Sequence, residues 1–431
     1  MNRTFRPSGP LKGRITPPAD KSISHRAALF GAMSDEPVTI HNYLFADDTS
    51  STLDALRALG AGVQEHGDEL VIRGVGLHTA LETTGGDLWV GNAGTLLRML
   101  PGWLAGQPGG VWKLDGDESI RRRPVDRIAD PLRRMGATIE ARDERLPPMV
   151  VRGAELRGIE YELPVASAQV KTCMLIAGML AAGETTLVEP ALSRDHTERI
   201  LRRSHTPFER AGLRISLKQV DEMELDEIRV PGDPSSAAFH VAAAAIIGGS
   251  RIVVEGVGLN WTRAGFFRIA ERMGAVVLGD IEAVGTEADS EPVGELDVAA
   301  APLEGTTVEP AEVPLAIDEL PLVALLGCFA EGETVVHGAA ELKVKESNRI
   351  DGVVEGLRGI GADIEATSDG FRVRGGGGLA GGRFEAHGDH RMAMLGAVAG
   401  LASRDGVEVV GMEAATISYP GFEQDLKALL G

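Results

Sequence analysis

Basic side chains stand beside residues that commonly begin helices, at several widely separated places in the chain. Lys171 follows Ser167, for example, and Arg391 follows Asp389. Ser and Asp are preferred N-caps, and a helix N-terminus offers free backbone N–H groups and the positive end of the helix dipole. Capping alone requires no basic side chain, so the combination predicts binding of phosphate or carboxylate groups. The basic residues concerned are Lys21, Arg26, Lys171 and Arg391.

Two carboxylates accompany such cations and could act as bases. Glu346 lies between Lys345 and Arg349, which are four residues apart and would share one face of a helix. Asp318 precedes an apolar segment. A carboxylate among Lys and Arg side chains would be ionised and able to accept a proton. Simpler interpretations stay open, since Asp318 also fits a helix N-cap and Glu346 an ion-pair partner.

Two further charged stretches admit two interpretations each. The run Arg121-Arg122-Arg123 before Pro124 fits either a solvated charge run or an anion site. The stretch 194–198, which reads Arg-Asp-His-Thr-Glu, could be an exposed, salt-bridged helix face. The acidic stretch 280–295 predicts a solvated surface loop.

Composition limits the partners. The 431 residues predict two or three domains, and 43 Lys and Arg against 63 Asp and Glu give a formal net charge of −20. A chain this acidic, with only 4% aromatic residues, is a poor general binder of nucleic acid or anionic membranes. Any anion must therefore bind at a local cluster of positive groups.

Cysteine usage and hydropathy predict a cytoplasmic protein. Cys173 and Cys328 lie far apart and outside any CxxC spacing, so we expect neither disulfides nor a metal site, and a reducing compartment. The first 20 residues contain no long apolar run, which argues against a signal peptide. The longest apolar stretch, 237–247, is too short to span a bilayer.

The chain repeats one module six times. An Ala-rich apolar segment, which predicts a buried helix, is followed each time by a β-branched run, which predicts a strand. A second piece, an amphipathic stretch closed by a glycine, returns in phase with the first and predicts a helix C-cap. The closing glycines are Gly60, Gly136, Gly212, Gly274, Gly361 and Gly431.

These residues fall into motifs that resemble those of the 5-enolpyruvylshikimate-3-phosphate synthases. The resemblance runs from about residue 11 to residue 430, and the motifs come in that family's order and spacing. Any one of them is weak, but together they are highly specific. They are Lys21-Ser22 with Arg26, the stretch 91–95 with Arg98, Arg123-Pro124, Ser167-Ala168-Gln169, Lys345-Glu346 with Arg349, and Asp389-His390-Arg391.

The resemblance implies an α/β fold with mixed sheets. It implies two similar domains, each of three βαβαββ units, arranged as inside-out α/β barrels with helix N-termini facing an interdomain cleft that closes on the substrates. The first domain would combine residues 1–19 with 235–431, and the second would be the insert 20–234.

The resemblance also implies a reaction. The enolpyruvyl group of phosphoenolpyruvate moves to the 5-hydroxyl of shikimate 3-phosphate, and phosphate is released. Addition and elimination proceed through a tetrahedral intermediate in the biosynthesis of aromatic amino acids. The family needs no metal or organic cofactor, and a monomer without nucleic-acid or membrane partners is expected.

Residue roles follow from the same resemblance. Asp318, Glu346 and Lys21 would be catalytic: Asp318 as base for the 5-hydroxyl, Glu346 in proton exchange at the methylene carbon, and Lys21 as acid toward the departing phosphate. Shikimate 3-phosphate would bind to Lys21, Ser22, Arg26, Ser167, Ala168, Gln169, Arg194, Asp318 and Lys345. Phosphoenolpyruvate would bind to Lys21, Asn92, Gly94, Arg123, Gln169, Arg349 and Arg391.

One of the family's two branches is matched better than the other. The stretch 415–420 contains no Lys, and His196 stands where the first branch has Tyr. The stretches 167–171, 194–198 and 260–263 resemble the second branch, although Ala19 replaces its usual Gly. Second-branch enzymes often tolerate the phosphoenolpyruvate mimic glyphosate, whereas Gly94 leaves room for it, so tolerance stays open.

Two rival functions fit the residues less well. A sister transferase acting on UDP-N-acetylglucosamine would show Lys-Asn near the start and a reactive Cys in a Gly-rich loop, but Ser22 follows Lys21 here. An inactive anion-binding scaffold would have lost Lys21, Asp318, Glu346 or Arg391, and all four are present. Both rivals are therefore disfavoured.

Overall fold

The computed structural model describes residues 1–78 and 85–430 and divides into two compact units. The first unit contains Met1–Pro18, Pro231–Thr286 and Pro292–Gly431. The second unit contains Ala19–Val230 and the short segment Glu287–Glu291. Domain boundaries at residues 20 and 234 stay a prediction.

Short strands alternate with helices along the chain. The strands are β1 (Asn2–Phe5), β2 (Lys12–Ile15), β3 (Val38–His41), β4 (Gly62–His66), β5 (Glu69–Arg73), β6 (Gly85–Trp89), β7 (Val111–Asp115), β8 (Thr138–Arg142), β9 (Leu146–Arg152), β10 (Glu160–Glu162), β11 (Glu184–Val188), β12 (Phe208–Ala211), β13 (Arg214–Lys218), β14 (Glu227–Arg229), β15 (Arg251–Gly258), β16 (Val276–Leu278), β17 (Val293–Ala299), β18 (Thr307–Val308), β19 (Glu333–Val336), β20 (Asp363–Ala366), β21 (Phe371–Arg374), β22 (Gly382–Glu385) and β23 (Val407–Val410).

The helices range from one turn to more than three. They are α1 (Lys21–Met33), α2 (Asp47–Ala58), α3 (Gly94–Ala105), α4 (Asp126–Met135), α5 (Ala168–Leu180), α6 (His196–Arg203), α7 (Pro234–Ile246), α8 (Gly265–Arg272), α9 (Val313–Ala316), α10 (Leu320–Phe329), α11 (Arg349–Gly359), α12 (His390–Ala402) and α13 (Phe422–Ala428). Single 3₁₀ turns cover Ile120–Arg122, Ala340–Val344 and Met412–Ile417.

Each unit contains three sheets of one recurring pattern. In this pattern a parallel pair of strands is followed by antiparallel neighbours. The second unit has the orders β14-β3-β5-β4, β6-β7-β9-β8 and β10-β11-β13-β12. The first unit has β2-β15-β17-β16 and β18-β19-β21-β20, and its third sheet is β22-β23-β1 with three strands. The six-fold repetition predicted from the sequence is confirmed.

The Ala-rich segments form six helices that are buried along almost their whole length: α1, α3, α5, α7, α10 and α12. Small apolar side chains on every side allow such a helix to be surrounded by other elements. Each of the six is followed by a strand, as predicted, and each unit has its own hydrophobic core. Within the described residues, no helix is long and apolar enough to cross a membrane.

Four of the six closing glycines are confirmed at helix ends: Gly60, Gly136, Gly274 and Gly361. Gly136, for example, follows α4 with φ +116°, a backbone conformation that favours glycine. Gly212 instead lies in the turn between β12 and β13, so the predicted helix there is wrong. The residue with positive φ after α6 is His205 and not a glycine. The glycine pattern therefore does not mark the end of this helix. Gly431 lies outside the described residues.

Lys171 does not face an anion site, so the sequence-based interpretation is wrong. Its side chain is fully buried, and Nζ lies 2.7 Å from a carboxylate oxygen of Glu198 and 3.2 Å from one of Glu189. Arg210 approaches the same two carboxylates, at 2.7 Å from Glu198. Ser193 donates a further hydrogen bond to Glu189. The four charged side chains compensate one another, which is what permits their burial.

The stretch 194–198 is also less exposed than predicted, whereas the acidic stretch 280–295 contains no buried residue and lies at the surface, as predicted. His196 to Leu201 of α6 are buried. Within the acidic stretch, Glu291 lies 2.6 Å from His196 Nδ1, and the carbonyl of Ser290 accepts from Arg199 Nη1 at 2.7 Å. Residues of α6 therefore contact a segment that stays at the surface.

Replacing Lys171 by Met should destabilise the second unit by about 3–5 kcal/mol, because the change leaves Arg210 as the remaining cation beside two buried carboxylates. We expect a lower urea midpoint in chemical denaturation. Arg251→Gln is the matched control, since Arg251 and Asp297 form an exposed ion pair whose loss should leave the midpoint nearly unchanged. Equal midpoints for the two variants would contradict the role assigned to Lys171.

Candidate active site

Helix N-termini of the second unit carry most of the residues predicted to bind anions. Hydrogen bonds and close packing connect these residues within this unit. We call the following set the second-unit cluster: Lys21, Ser22, Arg26, Asn92, Gly94, Arg123, Ser167, Ala168, Gln169 and Arg194.

Arg26 joins the start of three helices. Its Nη1 donates to the carbonyl of Ser22 on α1 at 3.0 Å, and its Nη2 to the carbonyl of Ala168 on α5 at 3.3 Å. Its Nε donates to Oγ1 of Thr197 on α6 at 3.1 Å. Arg194 Nη1 in turn lies 3.5 Å from Ser22 Oγ. The predicted residues around Ser22 are thus brought together.

Gln169 connects this group to α3. Its amide nitrogen donates to Thr95 Oγ1 at 3.0 Å, and its amide oxygen accepts from Arg98 Nη1 at 3.0 Å. Ser167 caps α5 by accepting from the backbone N–H of Val170. The first turn of α5 is therefore held by the Ser167 cap and by the hydrogen bonds of Gln169 to α3.

Arg123 packs directly on Gly94. A Cβ added at Gly94 would lie 2.2 Å from Arg123 Nη1, so any other residue would displace the guanidinium from this position. Arg123 Nη2 donates to Asn92 Oδ1 at 2.9 Å, and Asn92 donates to Asp117 at 2.6 Å. The solvated interpretation holds for Arg121, which forms an exposed pair with Asp115, whereas Arg123 is buried and its binding of an anion stays a prediction.

Lys21 begins α1 and is held by a carboxylate. Its Nζ lies 2.9 Å from Asp48 Oδ2, at a side-chain exposure of 16% for the lysine. Asp20 caps the same helix by accepting from Ile23 N–H at 2.9 Å. The ammonium is therefore placed at a helix N-terminus, where the dipole attracts a further anion.

The first unit contains the remaining predicted residues, which we call the first-unit cluster: Asp318, Lys345, Glu346, Arg349 and Arg391. The buried guanidinium of Arg349 lies 3.1 Å from Asp318 and 2.6 Å from Glu346. Lys345 Nζ lies 3.3 Å from Asp318 Oδ1, and Arg391 Nη2 lies 3.8 Å from Asp318 Oδ2. Three cations thus surround one carboxylate.

Asp318 is not a helix N-cap. The N-cap of α10 is Glu319, and no side-chain capping hydrogen bond is made there. Arg391 Nη1 reaches both the backbone carbonyl of Asp318 and the carboxylate of Glu319, at 3.3 Å each. The capping interpretation of Asp318 is therefore wrong, and its carboxylate contacts the cations instead.

The sequence predicts Asp389 only as a helix cap, but its carboxylate also binds Arg349. It caps α12 by accepting from Arg391 N–H at 2.9 Å and also accepts from Arg349 Nε at 2.8 Å. Burial by itself raises the pKa of the Asp389 carboxyl, but the positive charges of Arg349 and His390 outweigh it and lower the pKa overall. Burial likewise acts to lower the pKa of Arg349, and its three carboxylate neighbours raise it.

Within residues 1–78 and 85–430, no group of three or more His, Cys, Asp or Glu side chains could hold a metal ion. The two clusters instead offer cations, backbone N–H groups and ionised carboxylates. Such groups can bind phosphorylated carboxylates and move protons.

Comparison with known proteins agrees with this chemistry. The model of the EPSP synthase (3-phosphoshikimate 1-carboxyvinyltransferase) family matches residues 5–426. A 3-phosphoshikimate 1-carboxyvinyltransferase of Thermus thermophilus is 45% identical over 425 residues, covering 98% of this chain and 97% of the relative. One of Shouchella clausii is 43% identical over 420 residues, covering 97% and 96%.

The fold agrees as well. A crystal structure of EPSP synthase from Acinetobacter baumannii superposes with a TM-score of 0.85 at 39% identity, covering 99% of this chain and 98% of that one. The predicted α/β fold with mixed sheets is thereby confirmed. The chain belongs to the EPSP synthase family, the 3-phosphoshikimate 1-carboxyvinyltransferases.

Proposed function

We propose that the two clusters together perform the transfer of the enolpyruvyl group of phosphoenolpyruvate to the 5-hydroxyl of shikimate 3-phosphate, with release of phosphate. The observation that carries the proposal is the Asp318 carboxylate contacted by Lys345, Arg349 and Arg391. A carboxylate held ionised beside cations can accept the hydroxyl proton while those cations hold the substrates.

The charges of the substrates account for the basic side chains. Both substrates carry a phosphate and a carboxylate, and Arg and Lys bind such groups strongly. We propose that shikimate 3-phosphate contacts Lys21, Ser22, Arg26, Ser167, Ala168, Gln169, Arg194, Asp318 and Lys345. We propose that phosphoenolpyruvate contacts Lys21, Asn92, Gly94, Arg123, Gln169, Arg349 and Arg391.

Proton transfer divides among three side chains. Asp318 takes the proton of the 5-hydroxyl while the hydroxyl oxygen forms a bond to C2 of phosphoenolpyruvate. Glu346 gives a proton to the methylene carbon C3, and the tetrahedral intermediate results. Elimination returns a proton from C3 to Glu346 and breaks the C2–O bond to phosphate, which Lys21 assists as an acid. The 2.6 Å contact of Arg349 with Glu346 orients that carboxylate.

Three finer points belong to the same proposal. The chain would act as a monomer in the cytoplasm, and it would belong to the second branch of the family. His196, the absence of Lys from the stretch 415–420 and the stretch 194–198 support the assignment to that branch. Light scattering after size exclusion would test the monomer.

The direct test of the proposed function is phosphate release. We expect release when shikimate 3-phosphate and phosphoenolpyruvate are both present, and none when either is omitted. UDP-N-acetylglucosamine serves as the alternative acceptor. Release with the sugar nucleotide alone would assign the chain to the sister transferase, and no release from folded protein with either acceptor would contradict the transfer.

Asp318→Asn should lower kcat by about 10²–10⁴-fold, because the amide keeps the size of the side chain but cannot accept a proton. The dissociation constant for shikimate 3-phosphate, measured by calorimetry, should change much less. Asp363→Asn is the control, since Asp363 is exposed and pairs only at the surface with Arg374. Turnover by Asp318→Asn at the rate of the unmodified protein would remove Asp318 from the role of base.

Gly94→Ala should raise KM for phosphoenolpyruvate about tenfold, because the new methyl group displaces the guanidinium of Arg123 and weakens a charge-assisted contact. Affinity for shikimate 3-phosphate should stay nearly constant. Gly248→Ala is the matched control, since a Cβ at Gly248 would meet no atom within 4 Å. A KM unaffected by Gly94→Ala would argue against Arg123 as a phosphoenolpyruvate contact.

A further inference from the structure

Two threonine hydroxyls lie beside Arg26 and take no part in the proposed chemistry. Thr172 belongs to α5 and Thr197 to α6, and both side chains are buried. Arg26 Nε donates to Thr197 Oγ1 at 3.1 Å, and Arg26 Nη2 donates to Thr172 Oγ1 at 3.0 Å. The guanidinium is therefore held edge-on by two side chains from two different helices.

The direction of the remaining hydrogen bonds follows from the number of protons. Thr172 Oγ1 donates to the carbonyl of Ala168 at 2.7 Å, which uses its one hydroxyl proton. The bond of 2.6 Å between the two hydroxyls must then be donated by Thr197. Thr197 thus accepts from Arg26 and donates to Thr172, so each of its two bonds depends on its hydroxyl.

These bonds form a relay between two proposed contacts of shikimate 3-phosphate. It runs from the carbonyl of Ala168 through Thr172 and Thr197 to Arg26, and from there to the carbonyl of Ser22 at 3.0 Å. The relay joins the first turns of α1, α5 and α6. The spacing between Ser22 and Ala168 is therefore set partly by a residue that has not been assigned a contact with substrate.

The neighbouring residue fixes the position of Thr197. Glu198 is fully buried, and its Oε1 lies 2.7 Å from Lys171 Nζ on α5 and 2.7 Å from Arg210 Nη1 on β12. Because these contacts hold the first turn of α6 in place, the Thr197 hydroxyl meets Arg26 at a defined point. Pre-organised groups of this kind gain affinity by reducing the ordering that binding requires.

We propose that Thr197 is a positioning residue for shikimate 3-phosphate, acting through Arg26. The inference rests on the proposed function, in which Arg26, Ser22 and Ala168 contact that substrate. Without the hydroxyl, the guanidinium loses an acceptor and its bond to α6, so its position between the carbonyls of Ser22 and Ala168 is less well defined.

The test compares three variants by calorimetric titration with shikimate 3-phosphate. Thr197→Val should weaken binding about tenfold, since it removes hydrogen bonds while nearly keeping shape. Thr197→Ser restores the hydroxyl and should bind like the unmodified protein. Thr185→Val is the matched control, because Thr185 is buried and its Oγ1 has no hydrogen-bond partner among the described residues.

A second readout needs no substrate. Exchange of the Arg26 Nε proton, followed by ¹⁵N NMR of the free protein, should be faster in Thr197→Val than in the unmodified protein and in Thr185→Val. If the unmodified protein did not bind shikimate 3-phosphate, the proposed function would fail, and this exchange rate alone would still decide whether Thr197 holds Arg26.

Three results would overturn the inference: unchanged affinity in Thr197→Val, equal losses in the Ser and Val variants, or unchanged exchange of the Arg26 proton. A double-mutant cycle adds a further criterion. Because Thr197 acts through Arg26, Thr197→Val should have little further effect on affinity in an Arg26→Lys background. Full additivity of the two changes would contradict this route.

Discussion

Charge compensation within the chain is the constraint on which the rest of the site depends. The residues that would bind phosphorylated carboxylates are partly buried cations, and a buried cation without a counter-charge is strongly destabilising. The structure places a carboxylate of the same unit beside them: Asp48 at Lys21, Glu319 at Arg391, and Asp389 at Arg349. A net charge of −20 is therefore compatible with a site for anions. Substrates must compete with internal carboxylates, which favours ligands of multiple negative charge.

The repeated module supplies the positions at which these cations stand. An apolar helix buried on all sides can expose only its ends, and its N-terminus carries unpaired backbone N–H groups. In α1, α5 and α12 the cap is a Ser or Asp that accepts a backbone hydrogen bond, and predicted binding residues lie within the first turns. Repetition of one module thus produces several anion-attracting ends from a simple pattern of apolar segments.

Local pattern predicted the six buried helices, the strands after them and the basic residues at their starts, because these depend on neighbours in sequence. It failed where the partners are distant in sequence. In the sequence Lys171 resembles an anion ligand, but in the structure its ammonium pairs with Glu189 and Glu198. The stretch 194–198 resembles an exposed helix face, but His196 is buried and contacts Glu291. Charged residues are the most easily misassigned in this way, since their burial depends on their partners.

Two of the buried arginines, Arg349 and Arg26, illustrate how the choice of partner suits a function. Arg349 contacts Asp318, Glu346 and Asp389, so it aligns the two carboxylates proposed to move protons. Arg26 donates to the hydroxyl of Thr197 and to backbone carbonyls. Neutral acceptors orient a guanidinium without cancelling its charge, whereas carboxylates do both. These two guanidinium groups are therefore oriented by different kinds of acceptor.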